Sequence, residues 1–200
     1  MRAQTSAIAR LQGLPRVFRG SDLTIRFQWT SKTASQYLYL WKRRGLVQSL
    51  GGHSDVYANL LTNADPDWEA ALLAAMPSAV LVGIEVLRQA GWTTQVPHRP
   101  TVAVDANQGV FTVKPFEIVT RDPGWFVTTH QGVDRNHGAG LPGLRPAWAL
   151  ADLLRAQGWG NAGLAADDVD WSQVTVADEA DWRAARAAFG QRVLPLAEMR

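Results

Sequence analysis

Residues 29–60 read WTSKTASQYLYLWKRRGLVQSLGGHSDVYANL, and this stretch decides the fold of the first third of the chain. Trp29, Ala34, Tyr37, Leu38 and Trp41 recur at spacings of three and four, which gives a helix over residues 30–44 one face to bury. Thr30 or Ser31 can cap its start, and Gly45 stands where a left-handed residue closes a helix. Two short apolar runs follow, residues 46–50 and 55–60, around Gly51-Gly52-His53-Ser54; that pattern predicts a β-hairpin. Before the helix, Ser21 can cap a short helix carrying Leu23, Ile25 and Phe27. An amphipathic segment over residues 6–18 (Ile8, Leu11, Leu14, Phe18) precedes it and is interrupted at Pro15. Helix, helix, turn, helix, hairpin is the order of a winged helix-turn-helix, expected here at residues 1–62.

The charge distribution points the same way. Residues 1–60 hold nine Lys and Arg against Asp22 and Asp55, a balance of +7. The rest holds eleven against sixteen acids, a balance of −5, so the formal net charge of +2 conceals a basic part and an acidic part. A compact basic unit fits a polyanion such as double-stranded DNA. The 200 residues suffice for one or two domains with a real core, and the absence of cysteine excludes disulfides, thiol catalysis and thiolate zinc sites. The first thirty residues lack the long apolar run of a secretory signal, and the most apolar stretch, residues 70–87, is broken by Pro77, Ser78 and Glu85. A cytoplasmic protein with no membrane partner is expected.

The polar run TNADPD, residues 62–67, predicts a linker, and an acidic α+β domain is expected over residues 65–200. Its expected helices cover 68–75, 77–90, 146–157 and 178–189. Its expected strands cover 101–104, 110–113, 116–120 and 125–129, with a Gly-rich polar loop over 131–143.

The exposed face of the 30–44 helix carries the chemistry. Ser31, Lys32, Ser35, Gln36, Tyr39 and Arg43 lie opposite the apolar stripe. In a helix laid in the major groove, Gln pairs bidentately with adenine and Lys donates to guanine. Thr30 and Thr33 at the helix start lie where an anion is favoured. Lys42, Arg43 and Arg44, together with Arg16, Arg19 or Arg26, can neutralise phosphates. His53 and Ser54, at the tip of the expected wing, can reach a minor groove or a phosphate.

The segments TASQYLYLWKRRGLVQSLGGHSDVY, AMPSAVLVGIEVLRQAGW, VAVDANQGVFTVKPFEIV and GLRPAWALADLL together resemble the AbiE-type antitoxins, over about residues 5 to 160. The resemblance implies a transcriptional regulator of a type IV toxin–antitoxin system. Such a protein represses its own operon at an inverted-repeat operator, bound by two copies as a homodimer on DNA. It also implies functional pairing with a nucleotidyltransferase-like toxin without a stable complex. The residues after about 160 match nothing in that pattern.

An enzyme is not expected, and neither is a cofactor or a metal. His130, Asp134 and His137 have ligand-type side chains but fall in a Gly-rich loop. Asp105, Lys114 and Glu117 carry the charges of some metal-dependent nucleases in reversed order. Phosphate-loop and dinucleotide fingerprints are absent from the sequence. The nine tryptophans are scattered from Trp29 to Trp182, which fits burial better than base stacking. The alternative to an antitoxin is a ligand-responsive winged-helix repressor whose residues 65–200 sense a small molecule.

Overall fold

The computed structural model describes residues 6–51, 53–61, 63–109, 113, 115–135, 140–161, 163–192 and 195–199. It opens with α1 (Ala7–Gln12), capped by the Ser6 hydroxyl, whose oxygen accepts the Ala9 N–H at 3.1 Å. The helix ends at Gln12, shortly before the interruption expected at Pro15. Gly13 and Pro15 break it, and Val17–Arg19 instead forms a strand, β1, that pairs Phe18 with Tyr57. In α2 (Gly20–Phe27) the capping position belongs to Arg19, not to the expected Ser21. The Asp22 carboxylate accepts the Arg19 N–H at 2.8 Å. Gln28, at φ 54°, takes the left-handed position that ends α2. Gln28, Trp29 and Thr30 then make the turn into α3 (Ser31–Arg43).

Thr30 caps α3 by accepting the Thr33 N–H at 3.2 Å, and Gly45, at φ 68°, follows its end as the sequence predicts. The two hairpin strands are β2 (Val47–Ser49) and β3 (Val56–Asn59); Gly52 between them lies outside the described residues. The antiparallel sheet has the order β1-β3-β2. A further helix, α4 (Trp68–Ala75), packs on β1 and β3 with Ala71 and Leu72 fully buried. The Arg19 guanidinium donates to the Ala74 carbonyl. The first compact unit therefore runs through Pro77, with Val113 attached, whereas the sequence reading put the break at residues 62–67. Polarity in that stretch marks a surface loop inside the unit. Thr62 itself, like Val110, Phe111 and Thr112 of the expected 110–113 strand and Lys114 after it, lies outside the described residues.

The core of this unit joins Leu11, Phe18, Leu23, Leu38, Trp41 and Val47. Each such side chain contributes roughly 1.5–3 kcal/mol on burial. A row of rings, Phe27, Trp29, Tyr37 and Trp41, locks the turn onto α3; Trp29 stacks on Tyr37 at 4.2 Å, and the Arg10 guanidinium lies 5.2 Å from the Trp29 ring. Buried Asn59 donates from Nδ2 to the carbonyls of Leu11 (3.0 Å) and Leu14 (3.3 Å) and accepts the Leu61 N–H at 3.1 Å. It thereby ties the end of β3 to α1 and to the loop that follows it.

The second unit, residues 78–110 and 115–200, is built on a mixed sheet. Residues 77–90, expected as one helix, are instead β4 (Val80–Val82), a turn at Gly83 with φ 74°, and α5 (Ile84–Gln89). All three residues of β4 are buried, so the run is apolar without alternation, which periodicity alone reads equally as helix. Next come β5 (Thr101–Asp105) and β6 (Glu117–Arg121), paired in parallel. Residues 125–129 form a helix, α6 (Pro123–Thr129), where a strand is expected. Pro123 opens it and Asp122 accepts the Trp125 N–H at 3.1 Å, start signals that outweigh the β-branched Val127, Thr128 and Thr129. Two short strands, β7 (Val133–Asp134) and β8 (Gly143–Leu144), complete the sheet in the order β6-β5-β4-β8-β7. The last helices are α7 (Pro146–Ala156) and α8 (Val176–Ala188). They pack together through Trp182 and Ala185, and Phe189 meets Trp148 edge-on at 6.0 Å. The chain is thus α+β, with eight α-helices and two sheets among the described residues. None of these helices is long and apolar enough to cross a membrane.

Candidate nucleic-acid interface

The α3 helix divides its residues sharply between two faces. Ala34, Leu38 and Trp41 are buried, while Ser31, Lys32, Ser35, Gln36, Tyr39, Lys42 and Arg43 are exposed, Tyr39 by 64%. Positions 32, 35, 36, 39 and 43 fall three or four apart, so their side chains form one stripe along the helix. Arg44 is exposed just beyond the helix end. Lys42, Arg43 and Arg44 there complement the partial negative charge of the last carbonyls and remain available to a phosphate.

Two of the expected contact residues are engaged locally. The Thr30 hydroxyl caps the helix and shares a 2.9 Å hydrogen bond with the Thr33 hydroxyl, and Thr33 is half-buried. At the hairpin, His53 is exposed and holds φ 65°. Ser54 does not face outward. It is buried, and its hydroxyl oxygen accepts the Val56 N–H at 3.2 Å, which braces the turn and removes Ser54 from the contact set. Exposed Gln48 on β2, which the sequence reading passed over, stands between buried Val47 and half-buried Ser49. That alternation is the signal that could have found it.

The other candidate constellations stay apart. Asp105 pairs across the strands with Arg121 and Glu117 with Thr101, so the two carboxylates lie at opposite ends of β5 and β6, about 13 Å apart at the usual strand rise. Asp105 also accepts the Asn107 N–H at 2.8 Å. Lys114 and His137 lie outside the described residues. Among the described residues no group of three or more His, Asp or Glu side chains is placed to hold a metal ion. Five of the nine tryptophans, Trp41, Trp92, Trp125, Trp148 and Trp182, are buried.

The second unit contains a half-open cavity of about 660 Å³ between the start of α5, β5, β6 and the end of α7. Its inner wall holds a charged cluster around Asp152, which is 3% exposed. The Asp152 carboxylate accepts from Arg121 Nη2 at 3.1 Å, Trp125 Nε1 at 2.8 Å and Arg155 Nη2 at 3.3 Å. The sequence reading did not single out this cluster.

No family model matches the chain, and no curated protein matches it. Among solved structures, the crystal structure of the RV2827C protein from Mycobacterium tuberculosis is similar. The TM-score is 0.57 over 96% of this chain and 72% of that one, at 16% identity. A likeness at that identity concerns the fold, and it agrees with the α+β architecture.

Proposed function

We propose that the first unit is a winged helix-turn-helix that binds double-stranded DNA, with α3 as the helix in the major groove and the β2–β3 hairpin as the wing. The observation that carries this reading is the stripe of Lys32, Ser35, Gln36, Tyr39 and Arg43, left wholly to solvent on a helix whose other face is anchored by Leu38 and Trp41. Three features support it. The turn from α2 to α3 is three residues long, the sheet order is β1-β3-β2, and the +7 balance lies in residues 1–60. Lys32 and Gln36 read bases; Arg43 and Arg44 hold the backbone.

The resemblance of the quoted segments to AbiE-type antitoxins extends the proposal. The protein represses its own operon at an inverted repeat, bound by two copies, and counteracts a nucleotidyltransferase-like toxin without binding it stably. The DNA-binding part is tested by fluorescence anisotropy on duplex DNA from upstream of its own gene. Log K is expected to fall by about 0.9 per phosphate contact for each unit of log salt. An affinity insensitive to salt and to DNA sequence would remove the reading.

A further inference from the structure

The cavity of the second unit is lined by residues of that unit alone, and its charged side chains are Arg99 and Arg121 against Glu117 and Asp152. One buried carboxylate, Asp152, is shared by two guanidinium groups, Arg121 in the cavity wall and Arg155 outside the lining, so that Arg155 offsets the carboxylate and leaves the Arg121 charge to the cavity. Arg121 is fixed there by its bond to Asp152 and by the Trp125 ring, 5.8 Å from its guanidinium carbon. Among the described residues that bond to Asp152 occupies only one of the N–H donors a guanidinium carries. The Arg121 side chain is 26% exposed, so its remaining edge meets the cavity that it lines.

The mouth adds Arg99 and His98, opposed by Glu117, all three exposed and therefore screened by water. The inner charge is screened less. Between mouth and inner wall the lining turns apolar, with Val82, Val119 and Leu153. A volume of about 660 Å³ suits a molecule of metabolite size, and such pockets combine apolar walls with a few fixed polar groups.

We propose that this cavity binds a small organic oxyanion with an apolar body, its carboxylate or phosphate on Arg121 and its body against Val82, Val119 and Leu153. Asp152 and Arg155 act as positioning residues. Asp152 holds the Arg121 guanidinium in place, and Arg155 in turn holds Asp152.

The test uses the full chain labelled with ¹⁵N and three probes, benzoate, phenyl phosphate and the neutral benzamide. The Trp125 indole N–H, bonded to Asp152, is the reporter. Saturable shifts of that signal by an anion, with benzamide at least about tenfold weaker, are expected. Benzoate binding more tightly assigns the site to carboxylates, and phenyl phosphate binding more tightly assigns it to phosphate monoesters. Arg121→Gln, which removes the guanidinium and leaves Asp152 its bonds to Arg155 and Trp125, is expected to weaken the anions and leave benzamide unchanged. Ala156→Leu, which fills the end of the cavity, is expected to weaken all three. Equal binding of benzamide and benzoate overturns the proposal, as do the absence of any shift up to about 10 mM and anion binding that both variants leave unchanged.

Discussion

Gly20 and Asp55 approach so closely that a methyl group on the glycine would lie 2.3 Å from Asp55 Oδ1 and 3.1 Å from Leu38 Cδ1. The closeness has a purpose: the Asp55 carbonyl accepts the Gly20 N–H at 2.8 Å, and its carboxylate accepts the Ser21 N–H at 2.9 Å. The residue that enters β3 thus satisfies free donors at the start of α2 and ties the hairpin to the helix pair. Gly20→Ala is expected to destabilise the protein by about 1–3 kcal/mol through overpacking. In an Asp55→Ala background the same change is expected to cost less, because the obstructing carboxylate is gone. Urea unfolding of the four proteins measures the coupling, and additive effects would show that Leu38, not Asp55, is the obstacle.

Tyr57 stands in the same region, two residues further along β3, with its ring on Phe18 at 5.7 Å. Burial first, and the Asp55 carboxylate second, hold its hydroxyl above the ordinary value of 10.0. The folded protein therefore keeps this proton more tightly than the unfolded chain. The resulting stability is fully present below the unfolded value and is lost as pH rises through the folded one. Unfolding free energies measured from about pH 9 to pH 12 are expected to decline in the native protein and to decline less in Tyr57→Phe. Parallel curves for the two would assign the alkaline loss to other groups.

The elements legible in the sequence were those whose signals are local. Helix α3 has a cap, an apolar stripe and a closing glycine within sixteen residues, Thr30 to Gly45, and it forms as expected. Strand β1 was not legible, because three residues of strand depend on Tyr57 and Ala58 for their pairing, far away in the chain. Nor was β4 visible, since burial on both faces erases alternation. The DNA-facing stripe could be proposed because a helix displays its faces in its own sequence. The cavity could not, because Val82, Arg99, Val119, Arg121 and Asp152 come from four separate elements or loops that only the sheet brings together.

Asp152 has two cations and an indole as partners and almost no exposure. Asp152→Ala strands Arg121 and the Trp125 N–H in a poorly solvated setting, and breaking a buried pair in this way costs about 3–5 kcal/mol. Asp152→Asn keeps an acceptor for Trp125 and is expected to cost distinctly less. Thermal unfolding distinguishes the two. Equal losses would mean that the charge, not the indole bond, supplies the stability.

On α3, side chains that the proposal assigns to bases and to phosphates should separate in binding experiments. Gln36→Ala and Lys32→Ala are each expected to cost about 1–3 kcal/mol on the operator and little on unrelated DNA. Arg43→Ala should weaken both alike and flatten the salt slope by about one contact. All three residues are exposed, so none of the changes should disturb folding. If all three reduce specificity equally, α3 lies in the groove in another orientation.

Repression and protection from a toxin should also come apart, if the antitoxin reading is right. The decisive protein is the full chain carrying Lys32→Ala, Gln36→Ala and Arg43→Ala together. It keeps every buried residue of α3 and the whole of the second unit. The nucleotidyltransferase-like toxin of the proposed pairing is expressed from a promoter that this protein does not control, so repression cannot contribute to rescue. The triple variant is then expected to lose repression of a reporter fused to its own promoter while still restoring growth. Because the proposed protection needs no stable complex, toxin and native protein should elute separately in size-exclusion chromatography. Loss of rescue in parallel with repression would route protection through DNA binding. A native protein that restores no growth would leave a repressor alone, and the small-anion cavity would then be the natural place to look for its inducer.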